Sequence, residues 1–233
     1  MKVGVMQPYF LPYLGYFQLI DSVDSFVFFD DVNFIKKGWI NRNSILLNNE
    51  AHKFTIPLIK ASQNKLINEI YLFDYLTWRN SFISKIEVSY KSAPNYSNIL
   101  DLIHDILYAK HFELISDLSS SSVMKIMDYI NLNRTTLKSS DLNYSSSNAS
   151  GKIVSICKKM NATEYINPIN GQFLYDSKEF NENNLEIKFI KMSNGISYSQ
   201  NSPTFISNLS IIDVLMFNSI ENVRSLIGKY EII

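Results

Sequence analysis

Apolar residues in the first thirty positions change from a strand-like to a helical spacing and back. A short apolar strand is predicted over residues 2–6, and Pro8 and Pro12 end it. Apolar residues at helical spacing follow over 13–20, and the aromatic run at 26–29 is typical of a strand buried on both faces. The pattern predicts a β-α-β unit with polar residues at its strand ends.

The rest of the chain alternates between strand-like and helical segments. Two apolar runs flank the turn-prone pair Asn48-Asn49 and predict a β-hairpin. Residues 72–132 contain three helical stripes and few strand signals. The serine-rich stretch 139–151 is expected to be a mobile loop able to close over a site, and helices and strands alternate again over 152–190.

These elements predict an α/β fold with a mainly parallel sheet of nucleotidyltransferase-like or Rossmann-like layout. We expect residues 1–233 to form a single domain, with a helical insertion at about 72–132 packed over the sheet edge. A chain of 233 residues that is 46% hydrophobic has enough apolar material for one large core.

Composition narrows the function classes. The 22 basic and 22 acidic side chains cancel, which argues against a partner such as nucleic acid or an anionic lipid patch. No segment is apolar enough to insert into a membrane, and the start lacks the apolar region of a signal peptide. The single cysteine, Cys157, lies on an apolar helical face and is expected to be a buried thiol. A cytoplasmic protein with a small-molecule substrate is predicted.

Segment 7–16 joins a strand end, two prolines and a helix start. Ligands bind beyond the carboxyl ends of strands in open α/β sheets, so Gln7, Tyr9 and Tyr13 are candidate substrate-binding residues. The layout is similar to a nucleotidyltransferase loop that holds phosphates at a helix N-terminus, but Tyr16 stands where that pattern has histidine. Tyr16 is a candidate catalytic residue. The alternative is that these aromatic side chains fill the core around a rigid turn.

Asp30 and Asp31 end the second predicted strand and are the other candidate catalytic residues. Neighbouring strand residues point to opposite faces, so one carboxylate is expected to face the site, where it would take a proton or hold an amine. Two alternatives stay open. The pair could bind a divalent cation carried by a nucleotide-sugar, or it could only end the strand and cap a turn.

The turn at 36–43 combines cations, an aromatic ring and amides. Arg42 offers a planar fork for phosphate or carboxylate, and Trp39 offers a flat face for a sugar or nucleobase. The candidate substrate-binding residues of this turn are Lys36, Trp39, Asn41, Arg42 and Asn43. The structural alternative pairs Arg42 with Asp30 or Asp31 and makes Trp39 a core anchor.

Two later segments complete the predicted site. Asn167 and Asn170 follow a strand, as Gln7 does, and are candidate substrate-binding residues. Asp213 lies in the first turn of a helix capped by Asn208 or Ser210, which favours a structural role. The three histidines share no metal-ligand spacing, so the site is predicted without a metal.

Several blocks of the sequence carry a family resemblance. They are residues 7–17, 29–34, 38–43, 165–171 and 205–213. Over nearly its whole length the chain resembles the WbqC-like proteins, with Asn170 where a glycine is expected. The resemblance implies a role among bacterial surface-polysaccharide proteins, such as those of lipopolysaccharide and O-antigen biosynthesis.

The resemblance and the residues together predict a transferase that moves an acyl or aminoacyl group to a nucleotide-linked amino sugar. The expected partners are a nucleotide-sugar or an acyl or aminoacyl donor. One alternative is a nucleotidyltransferase-like enzyme that binds a nucleotide at the 7–16 loop. Another is a non-catalytic scaffold in a glycan-assembly complex. The sequence identifies neither a cofactor nor an oligomeric state.

Overall fold

The first β-α-β unit forms as the sequence pattern predicts. A computed structural model describes residues 1–146 and 148–233; Ser147, inside the predicted serine-rich loop, lies outside the described residues. Strand β1 spans Lys2–Met6, helix α1 spans Leu14–Asp21 and strand β2 spans Ser25–Phe28. The two strands pair in parallel, so their carboxyl ends lie side by side.

The predicted hairpin and the three predicted helices are also present. Strands β3 (Arg42–Leu47) and β4 (Glu50–Thr55) pair antiparallel and form a sheet of their own. Asn48 and Asn49 both adopt positive φ angles, 52° and 62°, which a tight hairpin turn requires and asparagine tolerates. The helices are α2 (Tyr75–Tyr90), α3 (Tyr96–Tyr108) and α4 (Ile115–Tyr129).

Residues 135–232 supply the remaining strands of the main sheet. In chain order its elements are β5 (Thr135–Lys138), α5 (Ala149–Lys159), β6 (Glu164–Pro168), α6 (Ser177–Glu182), β7 (Glu186–Met192), α7 (Ile211–Phe217), α8 (Ile220–Ile227) and β8 (Tyr230–Ile232). Short 3₁₀ turns at Ser139–Asp141 and Ile169–Leu174 follow β5 and β6.

The main sheet has the strand order β5-β2-β1-β6-β7-β8. All neighbours pair in parallel except β8, which runs antiparallel to β7. The predicted α/β fold with a mostly parallel sheet is therefore confirmed. From β1 the chain adds β2 and then β5 on one side, and it then returns to add β6, β7 and β8 on the other side of β1. The strand order therefore reverses between β1 and β6.

Apolar residues cover both faces of this sheet. Alternate strand positions point to opposite faces, so Val3, Val5 and Val27 pack with α5, whereas Phe26 and Phe28 pack into the larger core around α1 and the three-helix segment. Cys157 of α5 is buried, as predicted. Across the described ranges, every helix is too short or too polar to cross a membrane.

The prediction of a mobile loop over 139–151 is wrong for the residues that directly follow β5. Ser139 is buried at the end of β5, and helix α5 already begins at Ala149. The pattern did not predict β5, because Thr135–Lys138 is a four-residue edge strand with one aliphatic residue. Helix α6 and the short strand β8 were also not predicted.

Candidate functional site

Five loops meet at the carboxyl edge of the parallel sheet. They follow β1, β2, β5, β6 and β7 and comprise residues 7–13, 29–31, 139–141, 169–171 and 193–209. The amide of Phe29 donates to the carbonyl of Met6 at 2.8 Å, which joins the first two loops. This edge is where open α/β sheets bind ligands, and it holds Gln7 and both predicted catalytic carboxylates.

Asp30 is a buried carboxylate held by the end of β5. Its Oδ1 accepts from the amide of Ser140 at 3.0 Å, and its Oδ2 accepts from the Ser140 hydroxyl at 2.8 Å. Its own amide donates to the Ser139 hydroxyl at 3.1 Å. These bonds tie the end of β2 to the end of β5, a structural function for the carboxylate. Sequence reasoning missed both serines because it assigned them to a loop.

Asp31 is the more accessible carboxylate of the pair. It is half-buried, and its Oδ1 accepts from the hydroxyls of Ser139 and Tyr144, the latter at 2.6 Å. Burial, followed by the effect of Asp31, raises the pKa of Tyr144, so the tyrosine stays a neutral donor. The Oδ2 atom makes no hydrogen bond to the part of the chain that the structure describes, and Asp31 is therefore the better placed to meet a ligand.

The predicted catalytic Tyr16 is buried and supports the loop after β1. Its hydroxyl donates to the carbonyl of Gln7 at 2.8 Å, and burial raises its pKa well above the ordinary value of 10.0. Tyr9 and Tyr13 are half-buried, and burial raises both of their pKa values, that of Tyr9 to about 12. The tyrosines are neutral at pH 7. Gln7 makes no side-chain hydrogen bond to the described residues.

The loop after β1 is fixed by bonds from three distant elements. Leu11 has a positive φ of 46°, which is unfavourable for a branched residue. Its amide donates to the Ser122 hydroxyl of α4 at 3.2 Å, and its carbonyl accepts from Asn43 at 2.7 Å and from the Ser210 hydroxyl at 2.8 Å. These bonds stabilise the strained conformation, so the loop presents a rigid edge to any ligand.

The turn at 36–43 lies beside this loop, since the amide of Phe10 donates to the carbonyl of Ile40 at 3.1 Å. Two of its predicted ligand-binding amides are engaged by backbone: Asn43 bonds Leu11, and Asn41 donates to the carbonyl of Ile56 at 2.7 Å. Both are buried, which makes them supports of the turn rather than exposed contacts.

The structural alternative for Arg42 and Trp39 is wrong. Among the described residues, no ion pair joins Arg42 to Asp30 or Asp31, and the buried Nε atom of Arg42 has no hydrogen-bond partner. Trp39 is 52% exposed rather than a core anchor, and Lys36 is exposed as well. These side chains remain free for a ligand or a surface.

The two later asparagines differ. Asn167 is buried, where its Oδ1 accepts from the Tyr165 hydroxyl at 2.9 Å and its Nδ2 donates to the carbonyl of Pro168 at 3.0 Å. It lies over Gly171, where a Cβ atom would come within 2.3 Å of Nδ2. Asn170 is exposed. Asn167 thus shapes the turn, and Asn170 is the one positioned to reach solvent.

A buried carboxylate at the start of α7 anchors the long loop after β7. Asp213 accepts from the hydroxyls of Tyr90 at 3.0 Å and Tyr198 at 2.7 Å, and from Gln200 Nε2 at 2.6 Å. Burial raises its pKa above the ordinary 3.8, and the three hydrogen bonds offset part of that rise. Ser210 caps the helix, as predicted. The sequence offered no signal for the three donors.

A cavity of about 290 Å³ lies under this loop. Tyr13, Leu14, Tyr198, Phe205 and Val214 contribute to its walls. It borders the loop after β1, so it extends the candidate site along the sheet edge. Within residues 1–146 and 148–233, no cluster of three or more histidine, cysteine, aspartate or glutamate side chains could hold a metal ion.

Comparison with known proteins gives the same family as the sequence blocks. A model of the WbqC-like protein family matches residues 7–225. The chain is 26% identical over 218 residues to the uncharacterized protein Rv1507c of Mycobacterium tuberculosis, with 93% of each chain covered. No solved structure matches the chain. Because the family model spans nearly all of the sequence, the chain belongs to the WbqC-like protein family.

Proposed function

We propose that the protein is a transferase of bacterial surface-polysaccharide biosynthesis that binds a nucleotide-linked amino sugar at the carboxyl edge of its sheet. The observation that carries the proposal is a rigid loop flanked by an accessible carboxylate, Asp31, and an arginine without an acidic partner, Arg42. Membership of the WbqC-like family supports the polysaccharide setting.

The strand order supports a nucleotide-linked substrate. The strand order reverses between β1 and β6, and open α/β sheets bind nucleotides in the crevice at such a reversal. Gln7 follows β1 and Asn170 lies in the turn after β6, so both border this crevice. A Rossmann-like layout is thus part of the proposal.

Each side chain then has a distinct part in the transfer. Arg42 binds a phosphate or carboxylate of the substrate through parallel N–H bonds. Asp31 takes the proton from the amino group of the sugar as its nitrogen bonds to the acyl carbon, and the donor's leaving group departs with its bonding electrons. Asp30 and Tyr16 hold the loops in place, because both are buried and already bonded.

The nucleotidyltransferase-like alternative is the second candidate, favoured by the strand, turn and helix around the loop after β1. In that chemistry the residue at position 16 would contact phosphate. The Tyr16 hydroxyl instead donates to the carbonyl of Gln7, so the loop would have to bind phosphate through other groups. A scaffold without catalysis is the third candidate and requires no ligand at the edge.

A thermal-shift panel of nucleotides, nucleotide-sugars, acyl-CoA and divalent cations separates these candidates. A ligand at about 100 times its Kd stabilises the native state by about 2.7 kcal/mol, which for a chain of this size raises Tm by roughly 5–10 °C. The proposal expects a shift with a nucleotide-sugar. A shift with nucleoside triphosphate alone favours the nucleotidyltransferase, and a silent panel contradicts both enzymes and leaves the scaffold.

Arg42→Lys then tests the site itself. Lysine keeps the charge but loses the planar fork, so the nucleotide-sugar shift should fall while the Tm of the free protein is kept. Arg134→Lys is the matched control, because Arg134 pairs with Asp21 just before β5, at the opposite edge of the sheet. An equal loss of ligand shift in both variants would contradict the placement of the site.

A further inference from the structure

The zero net charge of the chain conceals a basic segment. Residues 31–69 contain six lysines and arginines and three acidic residues, a net charge of +3 that the rest of the chain balances. Whole-chain charge argued against an anionic lipid partner, but the local distribution shows a basic surface.

Two loops of this segment are held side by side. The amide of Phe34 donates to the carbonyl of Lys65 at 2.9 Å, and the amide of Ile56 donates to the carbonyl of Asn41 at 2.7 Å. The bonds close the arcs 35–40 and 57–64 into one exposed region, and neither arc contains an acidic residue. Lys36, Lys37 and Lys60 are exposed there and form no ion pair with the described residues.

Large apolar side chains are exposed among these lysines. Ile35 and Trp39 are each 52% exposed and Ile59 is 43% exposed. Trp78, the other tryptophan, instead stacks on Phe82 with ring centroids 5.0 Å apart. Exposed tryptophan and aliphatic residues surrounded by lysines are typical of protein surfaces that lie at the boundary between water and an anionic bilayer.

The exposed residues of the two arcs form a basic apolar surface that comprises Ile35, Lys36, Lys37, Trp39, Ile59 and Lys60. We propose that this basic apolar surface docks peripherally on anionic lipid bilayers. Lysines attract the headgroups, and the tryptophan and isoleucines enter the acyl boundary. The exposed isoleucines favour a bilayer over a nucleic acid, whose phosphates would contact the lysines and whose bases could stack on Trp39 but would leave Ile35 and Ile59 exposed to water. The proposal does not rest on the transferase function. Because Phe10 bonds Ile40, docking would bring the loop after β1 to the membrane surface.

Vesicle binding tests the electrostatic half of the proposal. The protein should bind vesicles of phosphatidylcholine with phosphatidylglycerol, fail to bind pure phosphatidylcholine, and dissociate at high salt. Each lysine near an anionic surface contributes about fivefold, so K36Q/K37Q should lower the partition coefficient about 30-fold. K158Q/K159Q, an adjacent exposed lysine pair on α5, is the matched control. Equal losses in both double variants would overturn the proposal.

Tryptophan emission tests the apolar half. Vesicles should shift the emission to shorter wavelength, and Trp39→Ala should abolish this shift and weaken partition about tenfold. Phe173→Ala, which removes a ring that is 89% exposed outside this surface, should leave binding unchanged. All these side chains are exposed, so each variant should keep the wild-type Tm. Vesicle binding that is insensitive to Trp39→Ala, or matched by heparin, would overturn docking on a bilayer.

The same variant separates docking from substrate binding. If Trp39→Ala loses vesicle binding and keeps any ligand-induced Tm shift, Trp39 serves the bilayer. If it keeps vesicle binding and loses the ligand shift, Trp39 stacks on substrate and the docking proposal fails. If Arg42→Lys leaves the nucleotide-sugar Tm shift unchanged, that result counts against the proposed function and not against docking on a bilayer.

Discussion

Asp213 is the buried carboxylate whose replacement most directly tests how the long loop after β7 is held. Its side chain is fully buried and accepts hydrogen bonds from Tyr90, Tyr198 and Gln200. Asp213→Ala removes the acceptor for all three donors. Asp213→Asn keeps the volume, removes the charge and retains one carbonyl oxygen.

The contacts of Asp213 determine how much stability its replacement should remove. A hydrogen bond to a charged group contributes about 1.5–3 kcal/mol, but Tyr198 and Gln200 are half-buried and can regain water when the carboxylate is gone. Removing the carboxylate also removes the cost of burying it. We expect Asp213→Ala to lower the free energy of unfolding by about 3–5 kcal/mol and Tm by roughly 10 °C. Asp213→Asn should cost about 1–2 kcal/mol.

The pH dependence has a defined sign. The pKa of Asp213 is higher in the folded state than its ordinary 3.8, so the native protein binds more protons than the unfolded chain between these two values. The contribution of Asp213 to stability therefore falls as pH rises through that window. Asp213→Asn lacks this titration, and the stability gap between wild type and the variant should narrow as pH rises.

Urea unfolding at several pH values between about 4 and 7 measures that gap. Asp105→Asn is the control, since Asp105 is an exposed carboxylate of α3. A gap between wild type and Asp213→Asn that stays constant with pH, or a loss below about 1 kcal/mol for Asp213→Ala, would refute the view that a buried charge holds the loop.

Three further substitutions or reactions test other parts of the fold. Ser139→Ala removes a hydroxyl bonded to the Asp30 amide and should lower the free energy of unfolding by about 1–3 kcal/mol in urea titrations; an unchanged midpoint would contradict this. Cys157 is buried with a pKa of about 12, so a thiol reagent should label it only when the protein unfolds, and rapid labelling of the native protein would refute this. Gly15→Ala places a Cβ atom 2.5 Å from the outer end of the half-buried Tyr13 ring, so the ring must turn aside and the variant should lower the free energy of unfolding by no more than about 1 kcal/mol. Gly228→Ala, whose Cβ would have no neighbour closer than 3.7 Å, should be tolerated in the same Tm measurement.

Local pattern was enough to predict the elements that depend on near neighbours in the chain. The β-α-β unit around α1 follows from apolar spacing and prolines, and the hairpin follows from Asn48-Asn49, whose side chains tolerate positive φ. The three long helices follow from their apolar stripes. Edge strands β5 and β8 were missed because four and three residues are too few to display a period.

At the candidate site, residue types were predictable but their partners were not. The sequence made Asp30 and Asp31 equal candidates. In the fold, Ser139 and Ser140, more than a hundred residues later in the chain, donate hydrogen bonds to Asp30, which is buried, whereas Asp31 stays more accessible. The sequence allowed an ion pair between Arg42 and one of these two acids, but in the fold the buried Nε atom of Arg42 has no hydrogen-bond partner among the described residues.

By itself, then, the sequence determined the family, the mostly parallel α/β class and the strand ends that carry polar side chains. Only the tertiary structure decided which of those side chains are buried and bonded, as Asp213 is to Tyr90 across 123 positions, and which, like Trp39, stay exposed. The physical reason is that hydrophobic periodicity is a local property, whereas a polar group's partner depends on which distant segments the sheet brings to the same edge.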